Sequence, residues 1–335
     1  MQSEMAEQPG ALAALIGRRA VLQPEVARCF GPPLAGTVIV ARGSSDHAAT
    51  CGRYLLEIAT RRPVASASPS VHLLYGADVD FSGYVVIAVS QSGRTPEIAA
   101  VLERAKASGG RTIAITNDAS SPLAEIADAL ISLDAGEEKA VPATKTVTAE
   151  IAAFALIAEA VGDVGITDRH WAALPGQVAD VIADIEPARA LAGWVSEQDS
   201  RFVTVARGFL YGAAAECALK IEETTSILST AFSSADLRHG PIAIASGGMP
   251  ILALAHPGPA ADDICDLVTD LRSRGASVRV AGPVPGTSAS WPSEAPEALA
   301  PVLAVVRGQQ LALEVARALG RDPDSPRGLT KVTIT

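Results

Sequence analysis

The chain has 335 residues, 48% of them hydrophobic but only 4% aromatic, and a net charge of −10. That length and composition suit a globular protein with two aliphatic cores of ordinary domain size, and an acidic balance without a basic cluster excludes nucleic acid and an anionic membrane as partners. The four cysteines, Cys29, Cys51, Cys217 and Cys265, are scattered, no apolar run reaches membrane-spanning length, and the start Met1-Gln2-Ser3-Glu4 has no secretory pattern, so a cytoplasmic location without disulfides or a zinc site is expected.

Residues 1–35 read as an amphipathic helical arm, with Leu12, Leu15 and Ile16 at core spacing, a Pro24, and Pro32-Pro33 as a stop. A first lobe spans 36–165. Thr37 to Ala41 reads as its first strand, followed by Arg42-Gly43-Ser44-Ser45 and a helix starting near Asp46. Further strands are expected at Pro63 to Ala67, Tyr84 to Val89, Thr112 to Thr116 and Ala129 to Leu133. Helices fit Glu97 to Ser108, a short stretch near Pro122 to Ala127, and Thr144 to Val161. This alternation implies a parallel sheet with helices on both faces. A helical connector at 166–197, centred on Gln177 to Leu191, leads to a second lobe at 198–325 and a tail at 326–335.

The second lobe repeats the first. Val40-Ala41-Arg42-Gly43 recurs as Val205-Ala206-Arg207-Gly208, 165 residues on, and the same offset relates Ala88-Val89 to Ala253-Leu254 and Gly110 to Gly275. One spacing kept across three strands indicates two copies of one α/β lobe.

The copies differ in their polar residues. Ser90-Gln91-Ser92-Gly93-Arg94-Thr95 lies between the apolar run Tyr84 to Val89 and a helix start at Pro96. A helix begun by Pro has unpaired N–H groups and partial positive charge at that end, so the turn suits a phosphate; an ordinary polar turn capped by Thr95 is the alternative. The second lobe has Ala255-His256-Pro257-Gly258-Pro259-Ala260 in its place, and Phe209-Leu210 for Ser44-Ser45, so only the first lobe is expected to hold phosphate. The second lobe gains Glu216, Lys220, Glu222 and Glu223. Glu216, Lys220 and Glu223, at i, i+4 and i+7, share one helix face. A carboxylate beside a lysine on a half-buried face can become a proton carrier; a solvated face braced by ion pairs is the alternative. His239, between Leu237-Arg238 and Gly240-Pro241, suits proton transfer near neutral pH, whereas His47, His72, His170 and His256 read as surface or packing residues.

These segments, with Gly136-Glu137-Glu138-Lys139-Ala140-Val141, Ala143-Thr144-Lys145, Phe232 through Pro241 and Pro326 through Lys331, resemble the tandem sugar isomerase (SIS) domain proteins over nearly the whole chain. Relatives include the isomerase half of glucosamine-6-phosphate synthase and the SIS-type glucosamine-6-phosphate deaminases. The wording Arg-Gly-Ser-Ser-Asp-His, Glu-Glu-Lys-Ala-Val and Phe-Ser-Ser-Ala is more like the deaminases. The resemblance implies two flavodoxin-like, Rossmann-like lobes. It implies that Ser45, Ser90, Gln91, Ser92 and Thr95 hold a sugar 6-phosphate, with Ser44 and the Val141 backbone on the sugar. Glu223 would move the proton between C1 and C2, His239 would open the ring from the neighbouring subunit of a homodimer, and Lys331 would meet the open-chain sugar. From position alone Lys331 reads as a tail cation.

The implied reaction converts glucosamine 6-phosphate to fructose 6-phosphate and ammonia without metal or cofactor, a positioned cation and hydrogen bonds carrying the developing oxyanion. Two departures from the synthase stand out: Glu222 replaces a basic residue and Arg42 a small one. Residue 2 is Gln and a glutaminase domain is not expected, which favours deamination over amide transfer. Another phosphosugar isomerase, a fructosamine-phosphate deglycase and a non-catalytic phosphosugar sensor are the alternatives.

Overall fold

The computed structural model describes residues 1–197 and 201–331. Two helices, α1 (Gln2–Gly17) and α2 (Arg19–Cys29), come first. The arm breaks at Arg18 and not at Pro24, which α2 accommodates. Then follow β1 (Gly36–Val40), α3 (Ser44–Thr60), β2 (Val64–Ser66), α4 (Pro69–Leu73), β3 (Tyr84–Val89), α5 (Pro96–Ala107), β4 (Arg111–Thr116), α6 (Pro122–Ile126), β5 (Ala129–Ser132) and α7 (Lys145–Val161). All strand pairs are parallel, in the order β2-β1-β3-β4-β5. The β-branched run of β3 is buried beyond its first residue, as a central strand covered on both faces must be. α3 begins at Ser44, two residues earlier than expected, because Gly43 takes a left-handed φ of 57° and turns the chain directly into the helix.

After α8 (Asp168–Ala183) and α9 (Glu186–Ser196) the plan recurs: β6 (Arg201–Ala206), α10 (Leu210–Thr225), β7 (Leu228–Ser233), α11 (Ser234–Arg238), a 3₁₀ turn at Pro241–Ile244, β8 (Pro250–Leu254), α12 (Ala261–Ser273), β9 (Ser277–Ala281) and α13 (Ala300–Ala318). The second sheet runs β7-β6-β8-β9, again all parallel. The 165-residue offset therefore carries β1, α3, β3, α5 and β4 onto β6, α10, β8, α12 and β9. It ends there: among the described residues no strand follows β9, where the first lobe has β5.

The chain divides into two compact units. One comprises residues 10–138 and 145–167. The other comprises 1–9, 139–144 and 168–331, so the loop 139–144 counts with the second sheet. No helix among the described residues is long and apolar enough to cross a membrane.

Candidate active site

In the first unit β1 and β3 are neighbours, but their following helices lead to strands on opposite sides of the pair, β2 and β4. Such a switch point leaves a crevice beyond the carboxyl ends of the two strands, between two helix N-termini. Ser44 and Ser45 open α3 there, and Ser90 to Thr95 link β3 to α5.

The turn has a fixed shape. The Gly93 N–H donates to the carbonyl and hydroxyl oxygens of Ser90 at 3.0 and 3.2 Å, and the Asn117 N–H donates to the Gln91 carbonyl at 3.0 Å. Gly93 has φ 63°, and a Cβ there would stand 2.1 Å from Ser121 Oγ, so no side chain fits. Thr95 is the N-cap of α5 but makes no side-chain capping bond; its hydroxyl lies 3.2 Å from that of Ser90. An ordinary Thr cap is thereby ruled out, and two hydroxyls meet at the helix end. Ser92 Oγ accepts from the Arg94 N–H at 3.3 Å. The buried Ser45 hydroxyl donates to Glu150 Oε1 on α7 at 2.9 Å.

At the matching position of the second sheet, just after β8, the hydroxyl turn is replaced by a packed histidine. His256 is buried, receives the Trp291 indole N–H on Nδ1 at 3.1 Å and donates Nε2–H to the Ala295 carbonyl at 2.9 Å. Burial lowers its pKa, the carbonyl bond opposing only in part, so the ring is neutral. His256 and His72, which stacks on Phe81, are packing residues as expected.

The polar face of α10 corrects a reading of the sequence: it is not a solvated ion-pair face. Lys220 is 0% exposed and Glu216 1%, because α13 packs along α10. Gly308 on α13 permits that approach; a Cβ there would lie 3.0 Å from the Cβ of Cys217. The Cys217 thiol is accordingly pushed up to about 12, by burial first and then by the charge of Glu216. Lys220 Nζ lies 3.4 Å from Glu216 Oε1 and also bonds Glu223, whose side chain retains 22% exposure. Burial alone would lower the Lys220 pKa, but the two carboxylates outweigh it and the net shift is upward. The result is a buried ammonium clamping a carboxylate that still opens outward. Glu222, one position away, is exposed.

His239 is exposed at the end of α11, just beyond the carboxyl end of β7, while Glu223 lies in the last turn of α10, just before β7 begins. The strand between them, Leu228 to Ser233, is about 17 Å long at the usual rise per residue. Within one chain the two side chains thus stand at opposite ends of the strand. Val141 donates its N–H to the Asp324 carbonyl at 3.0 Å. Lys331 is half-buried in the same unit.

Three carboxylates that support these residues were missed. Glu4 accepts the Lys139 and Ala140 N–H groups beside Val141; Glu138 accepts the backbone N–H and hydroxyl of Thr146 near the start of α7; and Glu150 meets Ser45. For Glu150 a signal existed, a carboxylate set within the apolar run of α7. Glu4 left none.

Comparison with known proteins agrees with this architecture. The SIS domain profile matches residues 37–160 and 196–281. The isomerizing glutamine–fructose-6-phosphate aminotransferase of Pyrococcus horikoshii is 30% identical over 347 residues, covering 100% of this chain and 57% of the relative. The chain therefore spans a little over half the length of that curated relative. The C-terminal domain of glucosamine-fructose-6-phosphate aminotransferase from Francisella tularensis superposes with a TM-score of 0.82 at 24% identity, covering 96% of each chain. Glucosamine-6-phosphate deaminase from Thermotoga maritima gives 0.76 at 21%, covering 97% of this chain and 100% of the other.

Proposed function

The chain belongs to the SIS domain family of phosphosugar isomerases, and from that premise we propose that it converts glucosamine 6-phosphate to fructose 6-phosphate and ammonia. The observation that carries this reading is the buried triad on α10. Binding a sugar phosphate needs no carboxylate pinned by a fully buried lysine, whereas shuttling a proton between adjacent carbons does.

The roles follow from the side chains. Ser45, Ser90, Gln91, Ser92 and Thr95 hold the phosphate, aided by the positive end of α5. Ser44 and the Val141 carbonyl contact the sugar. His239 moves the proton that opens the pyranose. Glu223 then removes the C2 hydrogen, made acidic by the C1 aldehyde, and returns a proton to C1. The resulting 2-imine takes up water and releases ammonia, leaving the C2 ketone. Lys331 stabilises the oxygen that gains charge between the two transfers. Because β7 separates Glu223 from His239, a sugar served by both requires His239 of a second copy, and the active form is a homodimer. Lys220 holds the Glu223 carboxylate in one orientation.

The test is release of ammonia from glucosamine 6-phosphate, followed together with exchange of its C2 hydrogen for solvent deuterium. Glu223→Gln is expected to lower both by about 10²-fold or more while phosphosugar binding persists. Exchange that continues in Glu223→Gln removes Glu223 as the base. Wild-type binding without exchange or ammonia release replaces the enzyme by a sensor. Ammonia release from fructosamine 6-phosphate alone makes it a deglycase.

A further inference from the structure

The guanidinium of Arg42 joins the two loops that form the serine cradle. It springs from the β1–α3 loop two residues before Ser44, and its Nη2 lies 2.9 Å from Glu97 Oε2 in the first turn of α5. Glu97 follows Thr95 by two residues. A carboxylate there suits the helix dipole but opposes a phosphate dianion at the same helix end. The Arg42 side chain is 51% exposed, so the ion pair and not packing sets its position.

Exposed ion pairs are weak and screened, whereas a guanidinium on a phosphoryl group makes two parallel charge-assisted bonds. A phosphate arriving between the ends of α3 and α5 therefore displaces Glu97 as the better partner. The second lobe provides a contrast. Arg207 holds the equivalent place and its charge acts on Asp263 of α12, but Asp263 is already bonded to Ser234 and Arg238, and the turn after β8 carries His256 where the first lobe has Gln91. There the arginine has an acid to face but no hydroxyl turn beside it.

We infer that Arg42 is a direct phosphate ligand, parked on Glu97 until a phosphosugar arrives, and that it sets the preference of this site for an anionic sugar. The inference rests on reading the Ser90–Thr95 turn as a phosphate cradle. It is tested with dissociation constants for glucosamine 6-phosphate and for inorganic phosphate, measured on wild type, Arg42→Ala, Glu97→Gln and the double variant. Arg42→Ala is expected to weaken both ligands about tenfold or more, and to do so equally when Glu97 is already Gln. Glu97→Gln alone tightens binding or leaves it unchanged.

An Arg42→Ala effect that vanishes in the Glu97→Gln background overturns the inference, because Arg42 then only cancels a charge. Should Arg42→Ala fail to fold, Arg42→Gln serves, with the same outcomes. Ser90→Ala and Thr95→Val separate the two levels. If they weaken binding while Arg42→Ala does not, only the arginine's role falls. If none of the three matters, or neither ligand binds wild type, the cradle falls with it.

Discussion

At the switch point of the first sheet two hydroxyls meet at a helix end; 165 residues later, in the matching turn of the second sheet, a buried histidine stacks on Trp291. The helices that follow β1 and β6 are exchanged in the opposite sense. Glu216, Lys220 and Glu223 of α10 correspond at that offset to Cys51, Leu55 and Ile58 of α3, an apolar face. Even the helix contacts are mirrored. In the first lobe Gly52 of α3 makes room for Phe154 of α7, and in the second Gly308 of α13 makes room for Cys217 of α10. One scaffold thus carries its hydroxyl-rich turn at the strand ends of one copy and its buried carboxylate–lysine triad along a helix of the other.

The largest expected effect tests that exchange on α10. Lys220→Met leaves Glu216 buried without its cation and should lower unfolding stability by about 3–5 kcal/mol, measured by denaturant titration. Converting the pair to the first lobe's character, Glu216→Leu with Lys220→Leu, should recover most of that loss, because a buried ion pair is often no better than the apolar residues that replace it. The recovered protein should remain inactive. If it retains turnover, the triad is only scaffolding.

A smaller effect separates the two switch points. Ser90→Ala or Thr95→Val removes a hydrogen bond to a charged ligand and should raise the phosphosugar dissociation constant by about 10- to 100-fold, with little change in melting temperature. His256→Phe should do the reverse. It strands the Trp291 N–H and the Ala295 carbonyl, at a cost of about 1–3 kcal/mol in stability, and leaves binding untouched. Weakened binding in His256→Phe would end the claim that only one crevice is a site.

The smallest effect is a pH dependence. The folded pKa of Lys220 lies above its ordinary 10.5. Its charge therefore contributes stability in full below 10.5 and loses that contribution as pH rises through the higher folded value. Stability should fall in alkali above about pH 10.5 in wild type and less steeply in the double-leucine protein, as read by thermal melts across that window.

Much of this comparison was legible in the residues. β3 occupies Tyr84–Val89 as its β-branched run indicated, and the 165-residue offset located β6, β8 and β9, though not β7, because local pattern and tandem repetition leave marks along the chain. The hydroxyl turn was visible for the same reason. The burial of Lys220 was not, since it depends on α13, which supplies Gly308 and the Ala312 carbonyl, 3.4 Å from the Thr224 hydroxyl, from about 90 positions downstream. Arg42 with Glu97 and Ser45 with Glu150 are separated by 55 and 105 residues, and no periodicity announces such pairs. Tertiary packing decides whether a charge at helical spacing is solvated or enclosed.

The seam between α10 and α13 has one more consequence. A thiol pushed up to about 12 and pressed on Gly308 is protonated and shielded, so Cys217 can meet an alkylating reagent only when those helices part. Cys265 on α12 is exposed and has no such protection. The chain thus carries its own pair of chemical clocks, a fast one that counts reagent arriving from solvent and a slow one that counts openings of the helix pair bearing Glu223.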